Sequence, residues 1–185
     1  MLYLENLILK LTIMKRNSLI RIAAVLVIMQ LTTISRAQSI SDTTAIQNIL
    51  QEEIVSWNNG DAGTYSKHFA TDCTFTNILG LFFTGHKEFL VRHEQIFKGV
   101  FIGTVAKQNI ISLKFVRPDV AIVETLTWVS GFSKDGPPKG TNLDEKGRLR
   151  TRLLQVMVRD GGSWKIVVYH NVDIKPGIPV PEPST

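Results

Sequence analysis

The chain has 185 residues, 21 of them basic and 16 acidic, with a net charge of +5 and a pI of about 9.4; that is enough for one domain with an ordinary core. The first 37 residues hold five Lys/Arg against Glu5, so 16 basic and 15 acidic residues remain, a net of about +1 with no Lys/Arg block, and the high pI does not argue for a nucleic-acid partner. A single cysteine, Cys73, excludes an intrachain disulfide and a cysteine-based zinc site.

In chain order, Met14 opens a basic stretch (Lys15, Arg16, Arg21) followed by an apolar run over Ile22–Met29 and by Ser35-Arg36-Ala37. This is the pattern of a secretory signal peptide over residues 1–37, cleaved after Ala37, with export to the periplasm or beyond. The run is too short for a comfortable membrane span, so no membrane insertion is expected after cleavage. Because the pattern starts at Met14, residues 1–13 read as an upstream extension.

"SISDTTAIQNILQEEIVSWNNGD" places Ile46, Ile49, Leu50, Ile54 and Trp57 on one helical face, with Gly60 suited to the end. Asp61 can cap a short second helix in which Tyr65 and Phe69 stand one turn apart. "CTFTNILGLFF" changes to a period of two and predicts a strand or hairpin turning at Gly80. "TGHKEFLVRHEQIFKG" predicts a third helix with Phe89, Leu90, Ile96 and Phe97 in its apolar stripe. Strands come next, over residues 104–116 and 120–132. A Gly/Pro/charged loop at 133–147 is a lid or a plain connection, and a hairpin over 148–174 turns at Asp160-Gly161-Gly162. "KPGIPVPEPST", residues 175–185, reads as a flexible Pro-rich tail, leaving residues 38–174 as the domain.

The layout is α+β, with helices covering one face of a curved antiparallel sheet. Both alternating faces of "WKIVVYHNV" are largely apolar, so the outer face of the sheet needs a cover too; a homodimer is one, burial within a monomer the other.

The order of elements, the "WNNGD…F…DCTF…G" passage and the closing "DGGSWKIVVYHNVD" resemble the nuclear-transport-factor-2-like (cystatin-like) superfamily, and within it SnoaL-like and SgcJ/EcaC-type proteins. The resemblance spans the whole mature domain. It implies a cone-shaped sheet wrapped around three N-terminal helices, a deep small-molecule pocket between them, and dimerisation through the outer sheet face. It also implies a ketosteroid-isomerase-like chemistry only where a carboxylate stands in the first strand. Here Asn77 holds that place, and an amide cannot act as a general base near neutral pH. The hydrogen-bonding site of the first helix falls near Glu53, where a phenol is expected.

Among the remaining candidates, His170 shares strand parity with Trp164 and Ile166 and reads as a pocket acid/base or as a histidine at the end of a core strand. Glu124, inside an apolar strand, is either a buried base or a surface carboxylate; Gln155 carries the same ambiguity as a ligand contact. His93 lies in the third helix's apolar stripe, either a satisfied core histidine or a pocket residue. Trp57, Tyr65, Phe75 and Trp128 line an aromatic pocket or are plain core. His68 and His86 read as surface residues, and the spacing of His86 and His93 does not suit zinc, so no metal is expected. No phosphate loop or dinucleotide fingerprint is present in the sequence, so no cofactor is expected. The functional expectation is a small-molecule-binding domain for a mostly apolar ligand, with a cofactor-independent lyase, cyclase or isomerase using His170 and Glu124 as the alternative.

Overall fold

The computed structural model describes residues 40–184. The signal peptide read over residues 1–37 lies outside them. Internal contacts divide the chain into residues 1–44 and 45–185. In the first unit the described residues, 40–44, are helical. The second unit holds the sheet and the helices that pack on it.

Residues 45–59 form α1, whose buried face is Ile46, Ile49, Leu50, Glu53 and Ser56. The helix stops at Gly60, which takes φ +66, a conformation costly for any residue with a Cβ. Asp61 then caps α2 (Ala62–Ser66) by accepting from Thr64 N at 3.0 Å. After it come β1 (Phe69–Thr76), the short β2 (Phe82–Thr84), α3 (His86–Lys98), β3 (Val105–Arg117), β4 (Val120–Ser130), β5 (Leu149–Asp160) and β6 (Ser163–Asp173). The six strands make one sheet in the order β2-β1-β6-β5-β4-β3. β1 and β6 run parallel and every other pair antiparallel, so the sheet is mixed where the sequence suggested a purely antiparallel one.

All three helices pack on one face. Their Ile46, Leu50, Tyr65, Phe89 and Phe97 join the inward residues Phe75, Ala121, Val123, Leu153, Met157 and Ile166 in a single core. β5 alternates cleanly, with Leu149, Thr151, Leu153, Gln155 and Met157 inward. β6 does not. Met157 pairs with Ile166, but its neighbour Val156 pairs with Val168, so Val167 is an extra residue. This β-bulge reverses the parity of everything after it. Trp164 and Ile166 face inward before it; Tyr169 and Asn171 face inward after it, and His170 is exposed on the other face.

The outer face carries a cover of its own. Leu126 and Trp128 of β4 pack with Ile174 and Val180. Arg150 donates to the carbonyls of Ile178 and Lys175, Arg148 pairs with Glu182, and Asn109 bonds Ser184. The tail, read as flexible from its sequence, lies along the sheet here, with its Lys175 and Ile178 carbonyls accepting from Arg150.

Candidate functional site

Between the helices and the inner face of the sheet lies a cavity with about 80 Å³ open to the centres of water-sized molecules, room for several waters or part of a small ligand. Its walls are largely apolar: Ile54, Trp57, Phe75, Ile78, Ile96, Phe101 and Val129 among them. The loop between β4 and β5 reaches it through Pro138.

Glu53 is the carboxyl group of this wall. Helical spacing puts it on the buried stripe of α1, one turn after Ile49 and one turn before Trp57, and it is 3% exposed. Gln155 Nε2 donates to both its oxygens, at 3.0 and 2.9 Å. No cation pairs with it among the described residues. Burial raises its pKa to about 8, the Gln155 hydrogen bond opposing that rise only in part. At neutral pH it is a carboxylic acid. Gln155 itself stands behind Glu53 rather than on the cavity wall, and its Oε1 is buried with no partner.

Two phenols meet beside it. The Tyr65 and Tyr169 hydroxyls are 3.0 Å apart, one from α2 and one from β6. Burial, and proximity to Glu53, hold both pKa values above the usual phenol range. His93 completes the group. Its ring lies against Phe89 and Tyr65, with centroids 4.0 and 4.7 Å away. Nδ1–H donates to the Phe89 carbonyl at 2.8 Å, which leaves Nε2 with the lone pair. Burial lowers the His93 pKa to about 4, so the imidazole is neutral at pH 7. Environment has thus driven a carboxyl and an imidazole in opposite directions within one pocket, the usual mark of an acid and a base.

Of the sequence candidates, Trp57, Tyr65, Phe75, Asn77 and His93 line the cavity. Asn77 spends its Oδ1 on the β1–β2 turn, accepting from Leu79 N and Leu81 N, both at 3.0 Å. His170 does not reach the cavity, because the Val167 bulge turns it outward. Glu124 is also on the outer face, where Arg152 Nη1 holds it at 2.6 Å. Trp128 belongs to the outer cluster under the tail. Among the polar lining residues, Arg92, Tyr169 and Asn171 escaped the sequence reading, and Glu53 entered it only as the place where the resemblance implied a hydrogen-bonding group. A signal for Glu53 was present, since 46-49-50-53-57 is a helical stripe with a carboxyl inside it. Among the described residues no His, Cys, Asp and Glu cluster could hold a metal ion.

Many solved structures share this order of helices and sheet. An NTF-2-like protein from Shewanella oneidensis MR-1 superposes with a TM-score of 0.55 at 20% identity, over 71% of this chain and 99% of its own. The chain has the nuclear-transport-factor-2-like, or cystatin-like, fold. A ketosteroid isomerase-like protein from Erwinia carotovora atroseptica SCRI1043 (TM-score 0.56, 13% identity, 72% of this chain and 96% of that one) is similar to the same extent. So is a type 2 hexachlorocyclohexane dehydrochlorinase (TM-score 0.55, 15% identity, 81% and 99%). No family model matches the sequence, and no curated protein does. At these identities the likeness concerns the nuclear-transport-factor-2-like fold, which carries many activities.

Proposed function

We propose that this is a cofactor-independent proton-transfer enzyme of the lyase or isomerase class, acting on a small, mostly apolar molecule with a carbonyl group. One observation carries the reading: Glu53 is a fully buried carboxyl on the wall of an apolar cavity, without a cation to neutralise it among the described residues. Such a group costs stability and is retained where a proton has to be delivered. Both its oxygens already accept from Gln155, so the carboxyl proton points elsewhere, and the cavity is the side that Glu53 lines. In the reaction, His93 Nε2 takes a proton from the carbon next to the substrate carbonyl while Glu53 donates to the carbonyl oxygen, giving an enol. Reprotonation at another carbon by His93, with the enol proton returned to Glu53, completes an isomerisation; in an elimination the enol proton returns to Glu53 as the β-substituent leaves with the proton from His93. Similar structures that include an isomerase-like protein and a dehydrochlorinase lend the reading support.

The finer expectations belong to the same proposal. They are a SnoaL-like or SgcJ/EcaC-type affiliation, export behind the leader, and pairing of two copies through outer-face residues such as Leu154 and Val172, 37% and 51% exposed.

The test is hydrogen exchange in D2O. Residues 38–185 are incubated with a panel of β,γ-unsaturated and β-hydroxy ketones, and deuterium incorporation or product formation is followed by NMR. Wild type is expected to accelerate exchange at the carbon next to the carbonyl and Glu53→Gln to lose that acceleration while still binding. Binding by both proteins with exchange at the solvent rate would make this a binding domain without turnover.

A further inference from the structure

One formal charge that the proton-transfer reading does not use borders the cavity. Arg92, on α3 beside His93, lines it. Its Nε is buried with no hydrogen-bond partner, and its contact to Gln95 Oε1, from Nη1, is a long 3.5 Å. No carboxylate lies within ion-pair distance of its guanidinium among the described residues. Guanidinium is charged at every physiological pH and offers five donors in a fixed fork. Among the described residues Glu53 is the sole carboxyl group on the wall and is neutral at pH 7, while His93 carries no charge there. Arg92 is half-buried and also borders a surface groove beside Lys87 and Glu88, so it brings positive charge to the edge of the cavity, where its buried Nε–H is open to an anion. A second buried atom points the same way. Asn171 Oδ1, from the inward side of β6, lines the cavity and has no donor.

We infer that the ligand is a small apolar carboxylic acid, its carboxylate taken by Arg92 and a hydroxyl group donated to Asn171. This rests on the cavity being a small-molecule site, and it narrows the substrate to hydroxy acids or their unsaturated and keto counterparts. A carboxylate on the guanidinium fork fixes the ligand's orientation, and its apolar body lies against the aromatic wall that Trp57 and Phe101 form together.

The experiment measures binding rather than turnover, so it fails separately from the exchange test. Phenylacetate, 3-phenylpropanoate and 3-phenyllactate are titrated calorimetrically at pH 7, each beside its primary amide. The acids are expected to bind at least about tenfold more tightly than the amides, with phenyllactate tightest. Arg92→Gln should abolish the preference and Arg92→Lys, which keeps the charge, should retain part of it. Asn171→Leu should remove the advantage of phenyllactate over 3-phenylpropanoate. Amides that match the acids in wild type, a preference that survives Arg92→Gln, or the failure of every probe to bind would each overturn the inference. In the first two cases Glu53-dependent exchange on neutral ketones would leave the proton-transfer reading standing.

Discussion

Gln155 gives both of its hydrogen-bond contacts to Glu53, at 3.0 and 2.9 Å from one amide nitrogen, and leaves its own oxygen buried and unpaired. An amide from the middle of the sheet thus holds a carboxyl from the first helix in one orientation, at the cost of an unsatisfied acceptor. That arrangement makes the pair a reporter of pH.

The stability profile follows from two opposed groups. Glu53 has its pKa raised from 4.5 to about 8 on folding, so between those values the folded state binds the extra proton and stability falls as pH rises. His93 is lowered from 6.5 to about 4, so between those values the unfolded state binds more protons and stability rises with pH. The two slopes cancel from pH 4.5 to 6.5, and Glu53 alone acts from 6.5 to 8. Wild type should show a plateau followed by a loss of about 2 kcal/mol across the second window. Glu53→Gln should lose the decline and gain stability through pH 6.5 instead. Thermal melts at half-unit steps of pH check both statements.

Replacing Gln155 by Leu removes the hydrogen bond that holds the Glu53 pKa down. The alkaline decline should then move above pH 8, and any Glu53-dependent exchange activity should keep its acid form to higher pH. A limb that stayed in place or moved down would mean that Gln155 does not set the ionisation of Glu53.

Tyr65 and Tyr169 share one hydrogen bond across two elements at 3.0 Å. Each Phe variant removes that bond and strands a buried hydroxyl, costing about 1–2 kcal/mol. The double Phe variant strands nothing, so it should cost clearly less than the sum of the two. Denaturant melts in a double-mutant cycle measure the coupling, and additive losses would mean that the hydroxyls are satisfied separately.

The helices and most strands were legible because their periodicity matches their burial: the α1 stripe and the Phe89–Phe97 face of α3 fold as they read, whereas the side taken by Gln155 in β5 was settled only by pairing across the sheet. Glu53 was legible through the resemblance, which put a hydrogen-bonding group there, but its burial and its raised pKa depend on the sheet that packs over α1. Two features had no local signal. The Val167 bulge depends on pairing with both β1 and β5, and nothing in "WKIVVYHNV" marks the extra residue. The tail's place depends on Arg148 and Arg150, which lie 34 and 28 residues from their partners Glu182 and Ile178, and a proline-rich segment does not announce such distant contacts.

Removing residues 175–185 tests that placement. Val180 leaves the Leu126–Trp128–Ile174 cluster, and the indole of Trp128, 2% exposed, loses its cover. The truncated protein should lose about 1–2 kcal/mol of stability from the lost apolar contact. Its tryptophan emission should become more accessible to acrylamide. An unchanged melting curve and unchanged quenching would show that the tail does not pack in solution.

The bulge separates two neighbours that a regular strand would have placed the other way round. His170 pairs across the sheet with Thr76 and Leu154 on the outer face, whereas Tyr169 sits between Phe75 and Gln155 beside the cavity. His170→Ala should therefore change stability by no more than about 0.5 kcal/mol, as exposed substitutions do, and should leave ligand binding and deuterium exchange intact. Tyr169→Phe, one residue away and smaller by a single hydroxyl, should alter both, because its oxygen holds Tyr65 and lies close enough to Glu53 to feel its charge. The comparison is made on the two variants side by side, by titration with 3-phenyllactate and by the exchange assay. If His170→Ala abolished exchange while Tyr169→Phe did not, strand β6 would run without its extra residue, and the acid and base of this cavity would have to be assigned again from the opposite face.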